Sequence, residues 1–240
     1  MKMTFLKIKL ITFLGLMSFN GKVWAEKLIQ FHTTNIEFLA GQNYKVGEAD
    51  RAILTFEHAN AHKYGDMFLF IDHTIDTGTY GEFSPRFSLS KMTGSSFRMG
   101  IIKDVSISTT YEFGKDISRF LYGAGVDLNI HGFNFLRVNF YQRNDPKLEG
   151  STHQLTLAWN RPFKIGNANF LFEGFADFAG AEGTSASNEL VVPRLMYDIG
   201  ESWGKAGKLQ VGIEFQYWHN KFGIKGVTEA APQFIAKWIF

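Results

Sequence analysis

Apolar and polar residues alternate with a period of two along much of the chain. In residues 82–89, the apolar side chains fall on odd positions and the polar ones, Glu82 and Arg86 among them, on even positions. Residues 120–130 and 209–217 repeat the pattern, with small or ionisable residues opposite the apolar ones. Alternation of this kind places successive side chains on opposite faces of a β-strand. The pattern predicts strands rather than helices.

Clusters of turn-forming residues divide the chain into runs of this kind. Glycine, asparagine, aspartate, serine and proline accumulate at 43–50, 143–146, 180–187 and 223–226, where they favour reversals of the chain. Single-chain outer-membrane barrels have an even number of antiparallel strands. We therefore predict an all-β fold, a closed antiparallel transmembrane β-barrel of about 12 strands. The predicted strands are 30–40, 51–60, 64–75, 81–91, 104–113, 118–130, 133–143, 152–163, 167–178, 189–199, 207–219 and 231–240.

Three features favour this barrel over a soluble β-sandwich, which shows the same alternation. The polar faces carry ionisable residues and small ones such as Gly123, Gly125 and Gly212, as a narrow aqueous lumen allows. Residues 234–240 form an amphipathic run that ends in a phenylalanine, and this run resembles the recognition strand of outer-membrane barrels. Aromatic residues accumulate near the predicted strand ends, where an interfacial girdle is expected. They are Tyr111, Phe113, Trp159, Phe163, Phe178, Tyr197, Trp203 and Trp218.

The first 25 residues have the layout of a secretory signal peptide. A basic start is followed by a short apolar stretch at 10–19 and by a cleavage site after Ala25. A single anchoring helix is the alternative, but the stretch has about half of the roughly 20 residues that a spanning helix needs. We therefore expect residues 1–25 to be a signal peptide and residues 26–240 to be one barrel domain in the outer membrane of a Gram-negative cell.

Net charge and cysteine content limit the classes of partner. Residues 1–25 hold four lysines and no acid, so the formal charge of +2 becomes −2 for the remainder. Its charges are scattered singly, and this gives no basic footprint for nucleic acid. Since the chain has no cysteine, disulfides, thiolate zinc sites and cysteine nucleophiles are excluded. We expect no cofactor, no metal and no nucleic acid, and a monomer in contact with outer-membrane lipids.

The polar faces of the predicted strands supply candidate binding residues. Ionised groups on the lipid face of a barrel would cost about 2–4 kcal/mol near the midplane for Arg or Lys, so these residues mark the lumen. Cross-lumen pairs that brace the barrel are one interpretation. Aromatic rings beside carboxylates in the lumen would instead suit a solute that is part planar base and part hydroxylated sugar. The candidate substrate-binding residues are Glu57, Asp66, Phe68, Phe70, Asp72, Glu82, Arg86, Asp127, Arg137, Tyr141, Glu214 and Trp218.

One segment carries a resemblance to a known family. Residues 82–93 read EFSPRFSLSKMT, which resembles the E-x-x-P-R-F-S-x-x-K-L-T segment of the Tsx family of nucleoside-specific channels. Other segments are similar to strands of that family in the same order, so the resemblance extends over most of the predicted domain. These segments are 54–57, 66–72, 123–127, 174–178 and 217–220.

The resemblance implies a twelve-stranded barrel with a narrow channel for nucleosides and deoxynucleosides. It implies that aromatic and ionisable lumen residues contact the solute, and that exposed loops can act as a phage receptor. The matching positions that it implicates are Glu57, Asp66, Phe68, Asp72, Glu82 and Arg86.

Two other classes of function stay open at this point. An outer-membrane barrel enzyme acting on lipids would need a Ser–His pair on the outer rim; the seven histidines are scattered, and the sequence has no Gly-x-Ser-x-Gly motif. His58 and His62 are four residues apart, but we expect them in a turn rather than on one helix face. A structural or phage-receptor barrel is the third class. We expect a channel that is not an enzyme.

Overall fold

A computed structural model describes residues 28–74 and 78–240. The predicted signal peptide, residues 1–25, lies outside the described residues. Twelve strands account for most of the described chain. They are β1 (Ile29–Gly41), β2 (Arg51–His62), β3 (Gly65–Thr74), β4 (Gly78–Ser88), β5 (Ile102–Gly114), β6 (Ile117–Leu128), β7 (Phe135–Asn144), β8 (Thr152–Ile165), β9 (Ala168–Ala179), β10 (Asn188–Asp198), β11 (Leu209–His219) and β12 (Glu229–Ile239).

The strands form a closed antiparallel barrel in which each strand pairs with its neighbours in sequence. The first and last strands close it: Glu37 of β1 lies opposite Lys237 of β12 and also opposite Thr55 of β2. Closure pairs the backbone N–H and C=O groups of every strand with a neighbour. A bilayer accepts only such structures, because its core offers no water to unpaired groups. The predicted fold class is therefore confirmed.

Each predicted strand overlaps one observed strand, and their bounds differ by at most three residues. The largest shift is in β4, which was predicted to reach residue 91 but ends at Ser88. The side chain of Ser88 accepts a hydrogen bond from the backbone N–H of Lys91 and caps a short helix, α1 (Leu89–Thr93). Gly94, with φ of 73°, ends this helix. The alternation through residue 89 therefore overstated the strand, because a local cap interrupts it.

The outer wall of the barrel is apolar and exposed. Large side chains that face outward include Phe38, Leu54, Phe83, Phe140 and Ile213, while their sequence neighbours face the interior. This outer surface has the polarity that lipid requires. The sequence predicted Trp218 both in the aromatic girdle and in the lumen. Its pairing opposite Leu190 and Glu229 shows that it lies on the inner wall.

The core lies inside the barrel. Leu39, Met196 and Ile235 are buried together on β1, β10 and β12, with Ile53 and Leu171 packed against them. Side chains thus fill the lumen on the side formed by β9 to β12, β1 and β2. On the opposite side, inward residues of β3, β4 and β8 such as Phe68, Glu82 and Thr156 keep partial exposure.

No helix of residues 28–74 and 78–240 is long and apolar enough to cross a bilayer.

The barrel has two mouths. The proximal mouth is the end of the barrel at which β1 begins and β12 ends, and the distal mouth is the opposite end. The proximal connections are 63–64, 89–101, 129–134, 166–167 and 199–208, and the described distal ones are 42–50, 115–116, 145–151, 180–187 and 220–228.

Substitution of adjacent residues on β4 tests the inside–outside assignment. Phe83→Arg places a guanidinium in lipid and is expected to destabilise the barrel by about 2–4 kcal/mol. Ser84→Arg, one position on, places the same group in the lumen between Glu82 and Arg86 and is expected to cost less. Urea unfolding in lipid vesicles, followed by tryptophan fluorescence, measures both. A larger cost at Ser84 would contradict the assignment.

Candidate functional site in the barrel lumen

A first cluster of charges centres on Arg194 of β10. Its guanidinium lies 2.5 Å from Glu214, 3.2 Å from Glu37 and 3.2 Å from Glu57. Glu57 belongs to β2, four strands away around the barrel. The ion pair therefore crosses the lumen rather than running along its wall.

Lys237 of β12 extends the same cluster. Its ammonium lies 2.6 Å from Glu173 and 2.8 Å from Glu37, and 3.8 Å from Glu57. We call these six residues the Arg194 network: Glu37, Glu57, Glu173, Arg194, Glu214 and Lys237. With all groups ionised, four carboxylates face two cations, and the network carries a charge of −2.

A second cluster, the Arg86 network, lies on β3 to β7. Arg86 donates to Asp127 at 2.6 Å and to Asp66 at 3.3 Å. Arg137 lies 3.3 Å from Asp66 and 3.6 Å from Asp127, so two cations balance two anions. Asp66 on β3 and Arg137 on β7 are again four strands apart.

Small inward residues make room for Arg86. Its guanidinium donates to the hydroxyl of Ser106 at 2.9 Å and to that of Ser108 at 3.4 Å. A Cβ atom at Gly125 would overlap the side chains of both serines and of Asn139. The glycine-rich inner face of β6 therefore has a packing reason, because any larger residue would displace these hydrogen-bonding groups.

A third cluster sits toward the distal mouth. Glu112 lies 3.1 Å from Arg119 and 3.4 Å from Arg143, and Arg119 lies 2.5 Å from Asp145. Asp145 is in the loop after β7, outside the spanning strands. Burial opposes its charge, but hydrogen bonds from Arg119 and from the backbone of Lys147 outweigh burial and hold the pKa of Asp145 below its ordinary value.

Aromatic rings line the inner wall of β3 and β4 between these charges. The ring centroids of Phe68 and Phe70 are 6.0 Å apart, and those of Phe70 and Tyr80 are 5.8 Å apart. We call these three residues the aromatic row. The Tyr80 hydroxyl donates to Glu82 at 2.6 Å, and Thr55 donates to Asp72 at 2.6 Å. The rings keep partial exposure, so they present flat faces next to carboxylate acceptors.

The loop 220–228 folds over the distal end of the lumen. It carries Lys221, whose buried ammonium lies 2.5 Å from Glu229 and 4.9 Å from the Trp218 ring centroid. The rings of Tyr44 and Phe222 also surround it, at 5.4 Å and 5.2 Å. Burial lowers the pKa of Lys221, although the hydrogen bond and charge of Glu229 act in the opposite direction. Cation–π contacts of this kind hold the loop on the barrel.

A cavity of about 510 Å³ opens at the proximal mouth. It lies between the loop that follows α1 and the ends of β3 and β5 to β7. Part of the Arg86 network forms its floor, and basic side chains stand around it. The charged residues that line it are Asp66, Lys91, Arg98, Lys103, Asp104, Asp127 and Arg137.

All twelve predicted site residues lie on the inner wall, as the strand registers show. Four of them are brought together in the Arg86 network. Phe68 and Phe70 belong to the aromatic row, and Asp72 and Glu82 adjoin it. Glu57 and Glu214 belong to the Arg194 network. Tyr141 is buried in the wall, and Trp218 lies apart, at the distal mouth. A binding role for each of them stays a prediction.

The sequence reasoning missed several lumen residues. Arg194 and Lys237 hold the largest network, yet neither was singled out. Lys237 stands on the inward parity of β12 and could have been found from its alternation. Glu37 on β1 carries the same signal. Lys221 could not have been found that way, because it lies in a loop where no periodicity applies.

The histidines differ from expectation in one place. His58 and His62 were predicted in a turn, but His58 lies within β2 and His62 ends that strand; the turn is 63–64. Thr34 Oγ1 is 2.8 Å from His58 Nδ1 on the outer wall. Among residues 28–74 and 78–240, no group of three or more histidine, aspartate or glutamate side chains is arranged to hold a metal ion.

A closed barrel with an apolar outer wall and a lumen narrowed by ion pairs between side chains is the architecture of an outer-membrane channel. Residues 31–233 match the family described as the nucleoside-specific channel-forming protein Tsx. The chain belongs to this family, and the protein is located in the outer membrane of a Gram-negative cell.

Individual proteins are also similar to this chain. The chain is 24% identical over 152 residues to the outer membrane protein OmpK of Vibrio parahaemolyticus, which aligns 61% of this chain but only 57% of that protein. The aligned part thus spans just over half of the relative. Among solved structures, the NanC porin has a TM-score of 0.56 at 7% identity and covers 85% of this chain and 98% of its own. The KdgM porin has a TM-score of 0.53 at 6% identity, with 86% and 99% covered. The porins are similar in fold alone.

Removal of Arg194 tests the energetic role of its network. Arg194→Ala leaves two buried carboxylates, Glu37 and Glu214, and two half-buried ones with Lys237 as the one cation of the network, and we expect a loss of about 3–5 kcal/mol. Lys147→Ala is the control, because Lys147 pairs with Asp116 on the surface and such pairs contribute at most about 1 kcal/mol. Denaturant unfolding in vesicles measures both. Equal effects would contradict a structural role for the network.

The loop carboxyl group of Asp145 gives a prediction about pH. Because its folded pKa is lowered, its contribution to stability is present above the ordinary value of about 3.9 and is lost as pH falls through the folded value. The wild type should therefore be more stable than Asp145→Asn at pH 7, and the difference should shrink below about pH 4. Asp116→Asn is the exposed control. A difference that grows in acid would contradict this sign.

Proposed function

We propose that this channel passes nucleosides and similar neutral, hydroxylated solutes by diffusion, without a catalytic step or a cofactor. The observation that carries the proposal is the aromatic row, Phe68, Phe70 and Tyr80, on the inner wall beside Asp72 and Glu82. The family described as nucleoside-specific supports the same solute class.

The row suits the two halves of a nucleoside. A planar base can stack on a ring face, which supplies about 1–3 kcal/mol per base. The ribose hydroxyls can donate to carboxylate oxygens, and the carboxylates of Asp72 and Glu82 lie within the same stretch of wall. Affinity of this size holds a solute briefly and releases it, as passage through a channel requires.

The ion-pair networks narrow the lumen. Arg194 reaches Glu57 across the lumen, and Arg137 reaches Asp66. These links occupy the space beside the aromatic row. The proposed path of the solute runs along β3, β4 and β8, where many inward side chains keep partial exposure.

The test is a solute panel on the purified protein. In planar bilayers, adenosine or thymidine should reduce single-channel conductance at concentrations at which ribose alone does not. Liposome swelling with the same panel should show entry of nucleosides ahead of sugars of equal size. Lipid release in detergent micelles without nucleoside block would favour a barrel enzyme, and neither activity would favour a receptor or structural barrel.

Two phenylalanine variants assign the contact. Phe68→Ala should raise the nucleoside concentration for half block by about tenfold, since it removes stacking of roughly 1.4 kcal/mol. Phe87→Ala, on the outer wall of β4, should leave it unchanged, because Phe87 faces lipid. The readout is block by adenosine in planar bilayers. Equal shifts in the two variants would contradict the proposed site.

A further inference from the structure

The cavity at the proximal mouth has charges that the lumen does not neutralise. Its volume of about 510 Å³ falls within the range of small-molecule sites, which is roughly 300–1,000 Å³. Its floor is neutral as a whole, since Asp66 and Asp127 are paired with Arg86 and Arg137. The remaining lining residues therefore decide its electrostatic character.

One acid and three bases remain. Asp104 accepts hydrogen bonds from the hydroxyls of Ser88 and Ser90 and from backbone N–H groups, so its oxygens are engaged locally. Lys91 donates to Gln30 and to the backbone carbonyls of His62 and Gly65, and these acceptors carry no charge. The positive charge of Lys91 is held in place but not cancelled.

The other two bases are free to meet a ligand. Among residues 28–74 and 78–240, Arg98 and Lys103 make no ion pair, and both are exposed at the cavity. With Lys91 and Asp104 counted, the cavity wall carries a surplus of two positive charges above its neutral floor. Ser95 and Ser96 line the same wall and can donate hydrogen bonds from their hydroxyls.

We propose that this cavity binds the phosphate group of small phosphorylated solutes, such as nucleoside monophosphates. Guanidinium and ammonium groups with neighbouring hydroxyl donors are the chemistry that phosphate oxygens accept. Deeper in the barrel the Arg194 network carries −2 with all its groups ionised and repels a dianion. A phosphorylated solute is therefore held at the proximal mouth and blocks the channel from that side instead of passing.

The test compares two sides of one bilayer and two pairs of substitutions. Adenosine monophosphate is added to one side of the bilayer and, in a separate experiment, to the other. The concentration that reduces conductance should be at least about tenfold lower from the proximal side than from the distal side. The Arg98→Gln/Lys103→Gln variant should need a concentration about tenfold higher for the same block from the proximal side. Lys164→Gln/Lys205→Gln removes the same charge from the same mouth outside the cavity and should keep the block. Equal losses in both variants, or block from both sides alike, would overturn the proposal.

Binding measured without transport separates this site from the nucleoside site. Calorimetry in neutral detergent with inorganic phosphate should show binding that weakens with added salt and with Arg98→Gln/Lys103→Gln. Inorganic phosphate has no base to stack, so this result stands even if adenosine fails to block the channel. No detectable phosphate binding would overturn the proposal. Tighter binding of a short-chain phosphatidic acid than of adenosine monophosphate would identify a lipid headgroup as the occupant and would overturn the soluble source.

Discussion

Backbone closure is the constraint on which the rest of this structure depends. In hydrocarbon, each unpaired N–H or C=O group costs several kcal/mol, so a strand edge cannot be left open. The pairing of β1 with β12 removes the last edge. Once the sheet is closed, the period of two assigns every side chain either to lipid or to the lumen. Phe38 and Glu37 are adjacent in sequence yet occupy opposite environments.

Closure also brings charges together in a confined space. A buried charge without a partner is strongly destabilising, whereas a paired one is tolerated. Arg194 satisfies three carboxylates at once, and one of them comes from a strand four positions around the barrel. The same side chains that balance each other therefore reduce the free cross-section. Bracing of the barrel and narrowing of the lumen are therefore two results of one arrangement.

The features that depend on local periodicity could be predicted from the sequence. Twelve strands, their parity and the inward position of the twelve candidate residues all follow from alternation and turn residues. It could not predict which inward residues meet, because the height of one strand against another depends on barrel stagger. Arg194 and Glu57 are 137 residues apart in the chain, and no local pattern connects them. The end of β4 was misplaced because the Ser88 cap is a local hydrogen bond that interrupts an unbroken alternation.

Charge changes sign along the lumen, and this affects charged and neutral solutes differently. Two unit charges 4 Å apart interact by about 4 kcal/mol at an effective dielectric constant near 20, so a surplus of either sign holds or excludes an ion. The cavity at the proximal mouth has a positive surplus, and the Arg194 network has a negative one. An ion attracted by one region is repelled by the other, whereas a neutral solute experiences neither barrier. Under the proposed function, the placement of charges would thus discriminate against ions, and the aromatic row, Phe68, Phe70 and Tyr80, would discriminate among neutral solutes by stacking.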